Sequence, residues 1–309
     1  MENARILVIG AGVNGSIIAT NLFSAGIDIT ILARGTRLRE IENEGIEIEN
    51  PFSKKRTVTK VPVTGRLLPE DHYDFILVIV RKNQVLDLLP LLAQNCSPNI
   101  VFMGNNLSGP GELIKVLGTE RVMMGSVYGA GRREGSLIRA ISFKSAAAPF
   151  GEVDGRITPR LEHLGSILKQ AGFRVELSKN IVDFQATHGA GVAVIGALTM
   201  KHGNSASSLA HSKEDLKLFI EGRREGQRVL RALGHQIIPW SEIFITGMPV
   251  FLQMLSMQLL LRSKFAEVGL AWHVSQASDE IIQLGKEMLE LCDRVDFPVP
   301  AIRKVLQNK

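Results

Sequence analysis

Six residues near the N-terminus, Gly10-Ala11-Gly12-Val13-Asn14-Gly15, have the types and spacing to hold a pyrophosphate. They fit G-x-G-x-x-G, follow the apolar run Arg5–Ile9 and open a segment of helical periodicity over residues 14–24. In that context Gly10 permits a tight turn and Gly12 lets backbone N–H groups approach the phosphates. Gly15 lets the helix pack close to the strand. The helix N-terminus then favours the phosphate charge. A second chemical group stands after the next strand, residues 27–32, as Ala33-Arg34-Gly35-Thr36-Arg37. NAD is usually held there by Asp or Glu on the ribose hydroxyls. This chain has no carboxylate at that place. The Arg34 guanidinium can pair with a 2′-phosphate in a forked geometry, with Thr36 or Arg37 assisting. The other reading is that these arginines cap a surface helix. The residue types point to NADP(H).

These groups need a scaffold, and the hydrophobic pattern supplies one. After the second strand a charged helix is expected at residues 36–43. A continuous apolar run at 74–80, a helix at 84–92 and a second apolar run at 99–103 follow. Such alternation implies a parallel sheet with helices on both faces. Residues 122–151 are rich in Gly and Ser and less regular. A helix at 160–171 and a short strand at 174–177 complete this half. Beyond Asn180 the pattern is helical, at 182–200, 213–233, 249–266 and 278–293. The expected fold is α/β: a Rossmann-type doubly wound parallel sheet in residues 1–178, then an all-α domain for substrate or dimerisation in residues 179–309.

Composition narrows the classes. The chain has 309 residues, enough for two cores, with 45% hydrophobic and 22% charged residues. A net charge of +5 suits an anionic cofactor or substrate but is too scattered for a nucleic-acid protein. Its densest cluster, Lys54-Lys55-Arg56, is expected on a solvated loop. Cys96 and Cys292 have no metal-type spacing and suggest no disulfide framework, so a reducing cytoplasm is expected. The apolar stretches 189–200 and 248–261 read as buried helices rather than membrane spans.

Five separated segments resemble the ketopantoate reductase (2-dehydropantoate 2-reductase) family. RILVIGAGVNGS with DITILARGTRL is similar to the family's opening. VIVRKNQ (78–84) places Arg81 on its lysine, FMGNNLSG (102–109) places Asn105 on its asparagine, and FGEVDG (150–155) lies near the end of the first domain. Glu280 through FPVP (297–300) matches the spacing from the family's glutamate to its P-T-P segment. The resemblance implies NADPH reducing a 2-keto acid to a 2-hydroxy acid, at a site between a Rossmann domain and a helical one. It implies catalytic roles for Asn105 and Glu280. The cofactor residues would be Gly10, Ala11, Gly12, Val13, Asn14, Gly15, Arg34, Arg81 and Asn105.

The chain departs from that pattern where the family carries its catalytic lysine. Here His188 takes the position, and the family's two asparagines become Val192 and Gly196. The family's serine has no clear counterpart near Val268. A histidine can serve as general acid near neutrality, so His188 is the candidate proton donor, with His273 and Lys201 in reserve. His188 can equally be a helix-start residue satisfied by backbone, and Glu280 an ordinary carboxylate favoured by the helix dipole. Val and Gly in place of polar groups suggest a bulkier or more apolar substrate than ketopantoate. The expected partner is a small molecule, not nucleic acid or membrane, with a homodimer possible. An imine reductase and a non-catalytic NADP-binding sensor remain open.

Overall fold

The computed structural model describes residues 4–127, 129–142 and 147–307. Two compact units emerge. Met1–Gly104 with Pro110–Ile181 form the first, and Asn105–Gly109 with Val182–Lys309 the second. A single cut at 178 does not anticipate that the short segment 105–109 groups with the helical half.

The first unit begins β1 (Arg5–Ile9), α1 (Val13–Ser24), β2 (Asp28–Leu32) and α2 (Gly35–Glu44). Next come β3 (Ile46–Glu49), β4 (Arg56–Thr59), β5 (Val63–Thr64), β6 (Phe75–Val78), α3 (Val85–Gln94), β7 (Ile100–Met103) and α4 (Gly111–Leu117). It ends with β8 (Val122–Gly125), β9 (Gly129–Glu134), β10 (Leu137–Ser142), β11 (Ala148–Glu152), α5 (Pro159–Gln170) and β12 (Val175–Leu177). The large sheet has the order β12-β11-β8-β7-β6-β1-β2-β5. Its middle strands β6 and β7 are buried at every position, which is why they read as unbroken apolar runs. Helix residues Ile18, Leu22, Leu161 and Leu164 join strand residues Ile6, Val8, Phe75 and Phe150 in one core.

Two expectations are corrected here. The sheet is mixed, because β11 runs antiparallel to β8. A second, four-stranded sheet, in the order β4-β3-β10-β9, lies where the sequence suggested loops. Gly129 and Gly131 hid β9 of this sheet. A Cβ on Gly129 would stand 2.6 Å from the Ile141 carbonyl oxygen, and one on Gly131 would stand 2.2 Å from the Arg139 carbonyl oxygen. These glycines therefore mark close approach within strands, not turns. The basic cluster divides as well. Lys54 and Lys55 lie in the exposed loop before β4, but Arg56 opens β4 and its Nε donates to the buried Glu49 at 2.7 Å.

The regular elements of the second unit are all helices among its described residues. Its elements are α6 (Ile181–Lys201), α7 (Ala206–His211), α8 (Lys213–Ala232), α9 (Ser241–Gly247) and α10 (Val250–Leu261). Then follow α11 (Lys264–Ala266), a π-helical turn (Glu267–Ala271), α12 (Trp272–Gln276), α13 (Ser278–Cys292) and α14 (Pro300–Leu306). The single helix expected at 249–266 is broken, because Ser263 caps a new turn at the Ala266 N–H. Val194, Leu198, Leu216, Phe219, Val229, Leu284, Met288 and Ile302 build this core. Helix α6 is long and apolar enough to cross a membrane, but 56% of its most apolar window is packed inside the protein, as for a core helix. Cys96 is exposed and Cys292 buried, and both are free thiols.

Candidate functional site

The glycine loop joins β1 to α1. Gly10 has φ +113°, and a Cβ there would stand 2.2 Å from the Ile79 carbonyl oxygen. A Cβ on Gly15 would stand 1.8 Å from the Gly10 carbonyl oxygen and 3.5 Å from Val8 of β1. Gly10 and Gly15 are thus fixed by the protein's own packing. Gly12 is different, because a Cβ there would meet nothing within 4 Å. It is the N-cap of α1 and no side chain caps that end. The first N–H groups of a twelve-residue helix thus face open space beside a glycine, a cradle that fits a dinucleotide pyrophosphate. Ala11 and Val13 lie in the same loop and pack partly against the core. The Asn14 side chain is engaged elsewhere: its Oδ1 accepts from the Gly129 N–H at 3.0 Å, which braces α1 against β9.

The two arginines after β2 separate clearly. Arg34 is exposed at the N-cap of α2, and no hydrogen bond or ion pair of its side chain occurs among the described residues. Arg37 is buried. Its Nε donates to the Ala11 carbonyl at 3.3 Å, and its Nη1 donates to Ser136 O at 3.0 Å and to Glu40 at 3.1 Å. Burial lowers its pKa, and Glu40 offsets that in part. Arg37 is therefore a strut under the glycine loop, a role its sequence position did not reveal. Thr36 is exposed on the first turn of α2. Arg81 follows β6, and its backbone N–H donates to Gln84 Oε1 at 3.4 Å.

In the second unit, Asn105 Nδ2 donates to Glu280 Oε1 at 3.2 Å, and His273 Nε2 stands 4.0 Å from Glu280 Oε2. Glu280 is buried at the start of α13. Two helical turns further along α13, buried Glu287 accepts from the Ser108 N–H at 3.2 Å. Two carboxylates seven residues apart on one helix face thus hold segment 105–109. Glu287 was missed in the sequence, although the spacing from Glu280 was visible. His273 stands two residues after the π-helical turn, a backbone feature frequent at functional sites. Val268 is buried in that turn.

His188 lies in the third turn of α6, not at a helix start, and its ring stacks on Phe184 with centroids 5.9 Å apart and planes 4° apart. The i, i+4 spacing of Phe184 and His188 signals this pair in hindsight. The imidazole stays open to solvent, yet the surrounding protein desolvates it and lowers its pKa below 6.5. Glu242 opposes that shift and His273 adds to it, so Glu242, His188 and His273 sense one another electrostatically. Lys201 lies at the C-terminal end of α6, where its Nζ donates to both Asp215 oxygens at 2.8 and 3.0 Å. Gly196 does not open space: a Cβ there would stand 2.8 Å from the Ile281 side chain, which fills the position. Val192 is partly buried beside the core.

Residues 6–154 match the family model described as Ketopantoate reductase PanE/ApbA. The chain is 25% identical over 250 residues to a 2-dehydropantoate 2-reductase of Archaeoglobus fulgidus, covering 79% of each chain. Among solved structures, it resembles D-mandelate dehydrogenase with NADH and anilino(oxo)acetate at TM-score 0.80 and 13% identity, over 98% of this chain and 96% of the other. It resembles 2-dehydropantoate 2-reductase from Geobacter metallireducens at TM-score 0.76 and 17% identity, over 98% of both.

Proposed function

Because this chain carries the ketopantoate reductase family domain, we propose that it is an NADPH-dependent reductase of a 2-keto acid, either 2-dehydropantoate or a bulkier analogue. The observation that carries the reading is the buried Glu280 carboxylate held by Asn105 in the same unit as His188. A D-mandelate dehydrogenase structure with NADH and anilino(oxo)acetate shares the fold, and Val192 and Gly196 stand where the family pattern carries polar asparagines, which suits a more apolar substrate.

Bound NADPH supplies a hydride from C4 of its nicotinamide. The backbone N–H groups at Gly12 and Val13 hold the pyrophosphate, and Arg34 holds the 2′-phosphate. Arg81 contributes a cation for a substrate or cofactor anion. Asn105, with one amide N–H on Glu280, binds the nicotinamide ribose or the reacting oxygen with the rest of its amide. Glu280 accepts a substrate hydroxyl or orients the proton donor. His188 gives the carbonyl oxygen its proton, and its lowered pKa makes the imidazolium a stronger acid.

The test follows NADPH oxidation with a panel of 2-keto acids of increasing bulk, for the native chain and His188→Ala. Turnover in the native chain and its loss in the variant are expected. No oxidation with any keto acid, despite NADPH binding, would overturn the reductase reading. Fastest turnover on ketopantoate itself would overturn the preference for bulk.

A further inference from the structure

Segment 105–109 is held more firmly than a connection between elements requires. The Asn105 side chain rests on Glu280, and Asn106 Oδ1 accepts from the Ser108 hydroxyl at 3.4 Å. Leu107 is buried, and its Cβ lies so close to Gly189 of α6 that a Cβ on that glycine would stand 3.4 Å away. The Ser108 N–H ends on Glu287. Connecting segments are ordinarily the more mobile parts of a fold. Here four consecutive residues each have a fixed contact.

Matching lengths let one helix serve both ends of the segment. Seven residues advance about 10 Å along an α-helix, and three steps of extended chain cover about the same distance. Asn105 and Ser108 therefore meet Glu280 and Glu287 on one face of α13. Glu287 is 5% exposed, and a buried carboxylate is costly unless hydrogen bonds hold it. Its Oε1 accepts from Gln283 Nε2 at 3.2 Å, which leaves Oε2 aimed at the Ser108 N–H. Stability alone does not call for a carboxylate here, because an apolar side chain would fill the position without that cost.

What the carboxylate adds is a fixed place for the segment, three residues from the Asn105 amide. Leu107 gives the segment a second reference point, because Gly189 adjoins His188 in α6. On the reductase reading above, on which this inference rests, the Asn105 amide meets the reacting oxygen or the nicotinamide ribose. An amide with that task works only where it is held in the productive geometry. We propose that Glu287 is a positioning residue for Asn105. Through the Ser108 N–H it keeps the Asn105 amide on Glu280, and it touches neither substrate nor cofactor itself.

A double-mutant cycle in the full chain tests this. Glu287→Ala is expected to lower kcat by about tenfold to a hundredfold, the scale of a misplacement near 1 Å. Asn105→Ala with Glu287→Ala is expected to be no slower than Asn105→Ala alone, because residues that act as a unit do not add. Glu287→Gln keeps an acceptor for the Ser108 N–H, so its kcat should stay within about threefold of native. Losses that multiply in the double variant, an unchanged kcat in Glu287→Ala, or a Glu287→Gln as slow as Glu287→Ala would each overturn the proposal. The Asn105 side-chain amide gives a readout apart from turnover. In NMR spectra its N–H pair, identified by its absence in Asn105→Ala, should exchange slowly in the native chain and in Glu287→Gln, and fast in Glu287→Ala. If Glu287→Ala does not fold, Gln283→Ala removes only the donor to Oε1 and should speed the same exchange. Slow exchange in a folded Glu287→Ala, or in Gln283→Ala where that variant stands in, would overturn the proposal. A native chain without NADPH turnover whose Asn105 amide still answers to Glu287 would remove the reductase reading and leave the positioning link standing.

Discussion

Asn105 and Glu280 stand 175 positions apart in the chain, and their side chains meet at 3.2 Å. The Ser108 N–H reaches Glu287 on the same helix at the same distance. The loop after β7 is thereby fixed at two points on α13, and the Asn105 amide is held in one orientation. In the proposed reduction, an amide positioned this way would need little reorganisation to meet a developing oxyanion.

Glu280→Gln keeps a hydrogen-bond acceptor for Asn105 and removes only the charge. We expect kcat to fall by about 10²-fold, the scale of one positioned acid–base group, with the melting temperature nearly unchanged. Steady-state kinetics beside a thermal melt decide this. An unchanged kcat would take the carboxylate out of the reaction.

The glycines of the loop should separate under substitution to alanine. Gly15→Ala forces a Cβ onto the Gly10 carbonyl and is expected to destabilise the fold by about 2–3 kcal/mol. Gly12→Ala meets no protein atom, so stability should hold within about 0.5 kcal/mol. NADPH affinity should nonetheless fall at least tenfold, because the methyl enters the phosphate approach. Calorimetric binding and denaturant unfolding on both variants measure the contrast.

Arg34 and Arg37 should differ in the same way. Arg34→Ala is expected to raise the Kd for NADPH by about tenfold to a hundredfold while barely changing that for NADH, the scale of one charge-assisted phosphate contact. Arg37→Ala should cost about 2–3 kcal/mol of stability, because it removes a buried guanidinium that supports Ala11. Equal losses for both cofactors in Arg34→Ala would show that this residue does not read the 2′-phosphate.

The pH dependence follows from the lowered pKa of His188, caused first by desolvation. The imidazolium is abundant only below that pKa, which lies under 6.5, and declines as pH rises through it. If His188 delivers the proton, kcat for reduction falls above this point, about tenfold per pH unit. His188→Ala should abolish the break in the profile. A native profile flat from pH 5 to 8 would assign the proton to another group, with His273 beside Glu280 next to be tested.

Burial pushes the Cys292 thiol up to about 11, while Cys96 lies at the surface. Ellman's reagent at pH 8 should therefore titrate one thiol in the folded chain and two after denaturation. Two fast-reacting thiols in the native state would contradict the burial of α13.

Local sequence was enough for the glycine loop and the strand–helix alternation around it, because three-residue spacing and apolar runs are set by nearest-neighbour sterics. It also reached Asn105, Glu280 and His273 as separate residues. Only the tertiary structure decided how they are used. It joined Asn105 and His273 to Glu280, sent Lys201 to Asp215, and filled the Gly196 position with Ile281. It turned Arg37 inward as a strut and left Arg34 in solvent, although the two lie one helical turn apart. The second sheet was illegible for the same reason: its glycines are required by side chains and carbonyls from other strands. Spacing along a chain sets which residues share an element. Which atoms then meet depends on contacts closed across long stretches of chain, and these carry no local periodic signal.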